Sequence, residues 1–282
     1  MDTDSSDTFF KEYTSQDAIV KYTRATAGFG ISYLLDHDYM AVYAQALALL
    51  PQEIRQRGIS MLEFGCGGGM NLLHLVSVLD RGLIRVEKAI GTDFSPVLTE
   101  AAKREAKNYL QEEERGRVEF YVAKNESLIH DLSVATGTGR SKLNNSVHFI
   151  VGVNTVRYCH RAKKELECAR DIADLLVPGG VCVVIDMNDR FLFFRSALKN
   201  RFLREVQEEE CRLPTLEEYT APFRLVGLDV VRSEHFCWIP HSSGEFMCYL
   251  LGGLSPILNV FARSRAMRSL VVFRKPVNAR SI

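Results

Sequence analysis

The residues best suited to chemistry stand together at Leu62-Glu63-Phe64-Gly65-Cys66-Gly67-Gly68-Gly69, with four glycines in five positions between an apolar run and a helical one. Glycine permits tight positive-φ turns and lets the main chain approach a ligand without a Cβ in the way. The helix start that follows offers N–H groups with no intrahelical partner. A dinucleotide loop of the form Gly-x-Gly-x-x-Gly, begun at Gly65, requires Gly or Ala at position 70, and Met70 stands there. The pattern present is instead acidic-x-Gly-x-Gly-x-Gly, carried by Glu63, Gly65, Gly67 and Gly69.

Two further motifs follow in order: Gly91-Thr92-Asp93-Phe94-Ser95-Pro96, closing a second apolar run and opening a helix, and Leu175-Leu176-Val177-Pro178-Gly179-Gly180, leading into Val181–Asp186. With them, Ser60 to Asp186 resembles the class I S-adenosylmethionine-dependent methyltransferases. The resemblance implies S-adenosyl-L-methionine as cofactor, held by Glu63, Gly65, Cys66, Gly67 and Gly69 together with Asp93 and Phe94. A carboxylate at Asp93 can accept from both ribose hydroxyls; its other use is to cap the next helix with Ser95. Where relatives often carry an Asp against the adenine amino group, this chain has Ala123-Lys124-Asn125-Glu126. Asn125 can serve there through its side-chain carbonyl, or Glu126 through its carboxylate. His148 stands where another Asp is frequent, and we read it as structural.

The reaction implied is displacement of S-adenosylhomocysteine by an acceptor atom attacking the methyl carbon. The cofactor brings the reactivity, so alignment and water exclusion are the protein's main tasks, with a base where the acceptor must lose a proton. The segment Gly152 to His160 follows the fourth strand, at the edge where open α/β sheets bind ligands. Asn154 is expected beside the amino-acid moiety of the cofactor, while Tyr158 and His160 are the candidates to hold or deprotonate an acceptor. His160 has a suitable ordinary pKa near 6.5, although a loop histidine can equally be solvated. Acceptor choice is assigned to the helical cap and to a lid insertion at about 190–225. There Phe191, Phe194, Leu198 and Phe202 recur at helical spacing beside Arg195, Lys199, Arg201 and Arg204; the other reading of these phenylalanines is packing on the sheet. An aromatic lid favours a small apolar or aromatic acceptor. The alternatives are methylation of a protein, peptide or RNA, or a non-catalytic cofactor-binding protein.

To position these residues the chain needs buried strands joined by crossover helices. Apolar runs at Ser60–Phe64, Ala89–Thr92, Val118–Val122, Val147–Val151 and Val181–Asp186 read as strands buried on both faces. Asn71–Leu79, Pro96–Tyr109 and Lys163–Leu176 are long enough to cross between them. Asp229–Phe236 and Ser269–Phe273 complete a Rossmann-like, seven-stranded, mostly parallel sheet with helices on both faces. Residues 1–50 form an N-terminal helical cap and 51–282 the methyltransferase domain.

Bulk properties narrow the partners. Lys plus Arg equals Asp plus Glu at 35 each, so no net basic field exists for a run of phosphates and nucleic acid is not expected. The seven cysteines form no CxxC pair, which points to a reducing cytoplasmic setting and no metal site. The acidic, polar start, Met1 to Thr8, has no secretory pattern. The apolar stretch Met247–Ala262 is shorter than the roughly 20 residues of a membrane helix. We expect it to be an internal segment leading into the last strand; the other reading, suggested by Arg263, Arg265 and Arg268, is a peripheral membrane contact near 247–268.

Overall fold

Runs that are apolar on both faces can satisfy their backbones only against neighbouring strands, with helices covering the sheet on each side. The computed structural model of the chain describes residues 13–23, 27–79, 82, 84–191 and 213–277. It opens with helices α1 (Asp17–Tyr22), α2 (Phe29–Leu34) and, after a π-helical stretch at Leu35–Tyr39, α3 (Met40–Leu47). Next come α4 (Gln52–Arg57), β1 (Ile59–Phe64), α5 (Met70–Leu79), β2 (Val86–Asp93), α6 (Pro96–Tyr109), α7 (Glu112–Arg115) and β3 (Val118–Val122). They are followed by α8 (Leu128–Thr136), α9 (Arg140–Leu143), β4 (Val147–Val153), α10 (Val156–Arg161), α11 (Glu165–Leu175) and β5 (Leu176–Met187). The last elements are α12 (Leu216–Leu225), β6 (Asp229–Phe236), α13 (Glu245–Ala262) and β7 (Arg268–Arg274).

The seven strands form one sheet in the order β3-β2-β1-β4-β5-β7-β6. β1 to β5 are parallel, and β7 runs antiparallel between β5 and β6. The order reverses between β1 and β4, which opens a ligand crevice at the carboxyl ends of those strands. Because β7 runs the other way, its first residue, Arg268, pairs with Met187 and arrives at that same edge.

Alternate residues of each strand serve two cores. Tyr43, Leu47, Leu72 and Val76 pack with Ile59, Met61, Val151 and Ile185 on one face. Leu128, Ile172, Tyr219 and Phe223 pack with Leu62, Ile150, Val184 and Phe273 on the other. Each fully buried aliphatic side chain contributes about 1.5–3 kcal/mol, so the sheet gives the site a rigid floor. Local signals set the crossovers. Ser95 accepts from Leu98 N and Pro96 follows it at the start of α6. Thr215 and Glu218 form a capping box at the start of α12.

One expectation changes and another falls outside the described residues. The Phe194, Leu198, Phe202 stripe, with Arg195, Lys199, Arg201 and Arg204, lies outside the described residues; Phe191, at its start, is buried in the first core. The stretch expected to be internal is instead the helix α13, whose Phe246, Tyr249, Ile257, Val260 and Phe261 face outward, with Cys248 its one buried residue. With the 3₁₀ turn after it, Glu245–Arg265 reaches 21 residues, so it is long and apolar enough to cross a membrane by length and composition. Both ends are nonetheless tied to one domain: Ser243 and Cys248 are buried at its start, and Ala266 leads directly into β7.

Candidate active site

The turn between β1 and α5 is built on positive φ at Gly65, Gly67 and Gly69, with values of 63°, 53° and 77°, a backbone region that side chains make costly. Gly68 meets a second demand, since a Cβ there would stand 2.4 Å from the Tyr22 carbonyl oxygen. Cys66 N donates to Thr92 O at 2.8 Å, tying the loop to β2. Asp93, at the end of β2, accepts from Gly67 N and Ser95 N, each at 2.9 Å, one on each carboxylate oxygen. Its carboxylate is pushed up by burial and drawn back by those two bonds. Glu63 lies behind the loop, fully buried, accepting from Asn71 Nδ2 at 3.0 Å, while Tyr43 donates to Asn71 Oδ1 at 2.9 Å. Burial pushes the Glu63 carboxyl up to about 8.

An aromatic roof crosses this loop from the N-terminal side. Gly68 N donates to Tyr22 O, and Ser95 Oγ donates to Tyr13 O. The Tyr13 ring stacks on Tyr22 with centroids 5.1 Å apart, tilts against Phe94 at 5.9 Å and meets Tyr158 edge-on at 5.9 Å. The Tyr13 and Tyr158 hydroxyls are 2.6 Å apart, and Arg157 Nη2 donates to Tyr158 Oη at 2.8 Å. Tyr158 therefore stands at the cleft. His160 is two residues on along α10, on the opposite side of a 3.6-residue turn, with Nδ1 3.6 Å from Glu165 Oε1. The two candidates are not brought together. Asn125 donates to Thr155 Oγ1 at 2.5 Å, linking the end of β3 to that of β4, and Glu126 is half-buried beside it. His148 accepts from Ser60 N at 2.9 Å, and burial pushes its pKa down; the bond is a structural contact between strands.

Across β4, β5 and β7 a second polar cluster occupies the same edge. Asn154, in a left-handed conformation with φ of 56°, accepts from Arg268 Nη1 at 2.5 Å. Asp186, wholly buried, accepts from Arg157 N at 3.1 Å and Met187 N at 2.8 Å, and lies 3.7 Å from Arg157 Nε. His241 faces Arg268 Nη2 at 2.5 Å; burial first, then the charges of Arg268 and Arg157, push its pKa down to about 3. The Tyr39 hydroxyl and Arg268 Nε are buried with no hydrogen-bond partner. An open cavity of about 600 Å³ lined by Arg55, Leu79, Ile84 and Arg117 sits at the amino ends of β1–β3, away from all these groups. Chemistry, not volume, marks the site.

A model of the methyltransferase domain matches residues 35–233. The chain belongs to the methyltransferase-domain family. It is thus an S-adenosylmethionine-dependent methyltransferase, as its first motif implies. Solved structures share the fold at low identity. A putative sarcosine dimethylglycine methyltransferase from Galdieria sulphuraria is 15% identical over 84% of each chain, with a TM-score of 0.52. The CurJ carbon methyltransferase is 16% identical over 92% of this chain and 57% of that one, TM-score 0.54. The [4+2]-cyclase SpnF is 15% identical over 93% of this chain and 80% of that one, TM-score 0.51. No curated protein matches the chain at a significant level. A cyclase on the same fold as two methyltransferases means that the fold alone does not fix the reaction or its substrate.

The loop of this methyltransferase fits the cofactor its family implies. A Cβ at Gly67 would meet only Tyr22 Cβ, at 3.6 Å, whereas one at Gly65 or Gly69 would strike Thr155 or Phe120, so Gly67 is the position open to a ligand. Each Asp93 oxygen accepts one amide bond while keeping a lone pair for a hydroxyl. Sequence reading missed Tyr13, Tyr39, Arg157, His241 and Arg268 as site residues. Of these, only Arg157 had a local signal, lying between Asn154 and Tyr158; the others come from distant segments.

Proposed function

We propose that this methyltransferase moves a methyl group from S-adenosylmethionine to a small molecule with an apolar or aromatic body. The observation carrying the reading is the joining of Asp93 to the glycine loop through Gly67 N, directly beneath the Tyr13, Tyr22 and Phe94 rings. Gly67 then leaves room for the cofactor to approach the main chain, Asp93 takes the ribose hydroxyls, and Asn125 turns its amide oxygen or Glu126 its carboxylate to the adenine. Asn154 stands by the amino-acid end. The bound sulfonium supplies an activated methyl group. What remains for the protein is to align the acceptor and exclude water, and the tyrosine rings do both: Tyr13 covers the cleft while Tyr158, its hydroxyl held by Arg157, orients the acceptor. His160 is left to its contact with Glu165.

Calorimetric titration with S-adenosylmethionine and with NAD, followed by transfer of labelled methyl into a metabolite extract, a protein lysate and total RNA, tests this. Binding of S-adenosylmethionine alone, with label in the metabolite fraction, is expected. Binding of NAD alone would overturn the cofactor assignment, and label confined to protein or RNA would overturn the small-molecule acceptor.

A further inference from the structure

Charge is unevenly matched at the β4, β5 and β7 end of the site. Two guanidiniums, Arg157 and Arg268, face one deeply buried carboxylate, Asp186. Asp186 is spoken for by Arg157, through its backbone N–H at 3.1 Å and its Nε at 3.7 Å. Arg268 is only 2% exposed, yet its contacts are the Asn154 amide oxygen, the Met187 sulfur and the His241 ring, all neutral groups. His241 adds no compensating charge, and Asp38, the next acid, interacts with the Cys237 thiol, His37 and Tyr39 while its Oδ2 is buried and unbonded. A buried guanidinium without a carboxylate is costly, and an unmet buried donor adds to that cost. Beside it the Tyr39 hydroxyl, 3% exposed and in the field of Arg268, is also unbonded. Two orphaned donors, one of them cationic, thus lie near a carboxylate, Asp186, that is already bonded to Arg157 N and Met187 N.

We propose that Arg268 and the Tyr39 hydroxyl are the docking point for a carboxylate on the methyl acceptor. The inference rests on the transferase reading above, because it places the acceptor at this edge. Arg268 belongs to β7, two strands beyond β4 in the sheet, or about 10 Å from the β4 end at the usual strand spacing. The glycine loop and Asp93, which serve the cofactor, lie on the other side of β4. Arg268 Nη1 is itself bonded to Asn154, at the cofactor's amino-acid end, so it is the Nε edge of the guanidinium, with the Tyr39 hydroxyl, that is left for the molecule that meets the methyl group. A planar carboxylate suits the guanidinium fork, which grips it with two parallel bonds, and the phenolic hydroxyl can donate a third. An acceptor of this kind joins an apolar body, lying toward Tyr158 and Tyr13, to an acid group.

The test uses the full chain saturated with S-adenosylhomocysteine, titrated calorimetrically with decanoate and 3-phenylpropionate and with the corresponding amides. At least one acid should bind about tenfold or more tighter than its amide, the difference expected for a charge-assisted contact. In Arg268→Gln the preference should vanish while S-adenosylhomocysteine affinity stays within about twofold. Equal binding of acids and amides, no binding of either acid, or a preference that survives Arg268→Gln would overturn the proposal. So would a loss of S-adenosylhomocysteine affinity in that variant, since the anion would then be the cofactor's own carboxylate. If Arg268→Gln does not fold, Tyr39→Phe carries the test: it removes only an unbonded hydroxyl, so the melting temperature should hold while acid binding weakens severalfold, and unchanged acid binding overturns the assignment. Should the wild-type chain not bind S-adenosylhomocysteine, the transferase reading fails, and the same acid and amide titrations without it still decide the Arg268 site.

Discussion

The two halves of the ligand edge are finished differently. On the β1 and β2 side the bonds span 2 to 26 residues: Asp93 meets Ser95 and Gly67, and Glu63 meets Asn71 through Oε1, its Oε2 being buried and unbonded. On the β4, β5 and β7 side, Asn154 meets Arg268 across 114 residues, and donors on Tyr39 and Arg268 are left unmet. The first half is the glycine turn and strand end proposed above for the cofactor. The second is set by residues that no short motif encodes, which is where acceptor specificity can vary while the fold stays constant.

Three substitutions can break or sharpen that contrast. Arg157→Ala acts on the long-range half and should have the largest effect, because it leaves the wholly buried Asp186 without its ion partner. A loss of about 3 kcal/mol is expected, the low end for a broken buried pair since the Arg157 side chain is 24% exposed. Denaturant melts measure it, and an unchanged midpoint would mean that the Asp186 contacts to backbone N–H groups suffice.

Glu63→Gln, in the cofactor half, should show as a change in pH dependence. The folded pKa of about 8 lies above the ordinary value, so the native state holds the proton more tightly than the unfolded chain does. The stability this gives is full below the unfolded value and is lost as pH rises toward the folded one. Between pH 6 and 8 the wild type should lose on the order of 1–2 kcal/mol more than Glu63→Gln. Parallel stability curves for the two proteins would show that Glu63 is already ionised in the fold.

Asp93→Ala should have the smallest effect on stability and act mainly on the ligand. Loss of the ribose acceptor, together with the Gly67 and Ser95 bonds, should weaken S-adenosylmethionine by at least about tenfold, equivalent to about 1.4 kcal/mol. A folded variant with an unchanged dissociation constant would return Asp93 to helix capping and remove the distinction between the two halves.

Short-range rules made much of this protein legible in its sequence. Short runs placed Val118–Val122 and Asp229–Phe236 at the residues found, although Val118–Val122, expected to be buried on both faces, is an edge strand with one buried side chain. Ser95-Pro96 marked the start of α6, and the glycines at 65, 67 and 69 announced the positive-φ turn that the loop adopts. Each depends on a residue's own conformational preference or on neighbours a turn away. Other features were decided by contacts that only the folded chain makes. β5 begins at Leu176 rather than Val181 because Gly179 and Gly180 exchange bonds with Lys275, far along the chain. Met247–Ala262, apolar enough to suggest an internal segment, packs against α2 with most of its side chains outward. Tyr13 reaches Tyr158 across 145 residues, and Arg268 reaches the ligand edge because β7 enters the sheet in the reverse direction. Motif spacing determined the glycine turn, since its positive-φ geometry is local backbone geometry. The acceptor half came from strand order and direction, because charges and hydroxyls that are distant in sequence are brought together only when the whole sheet closes around them.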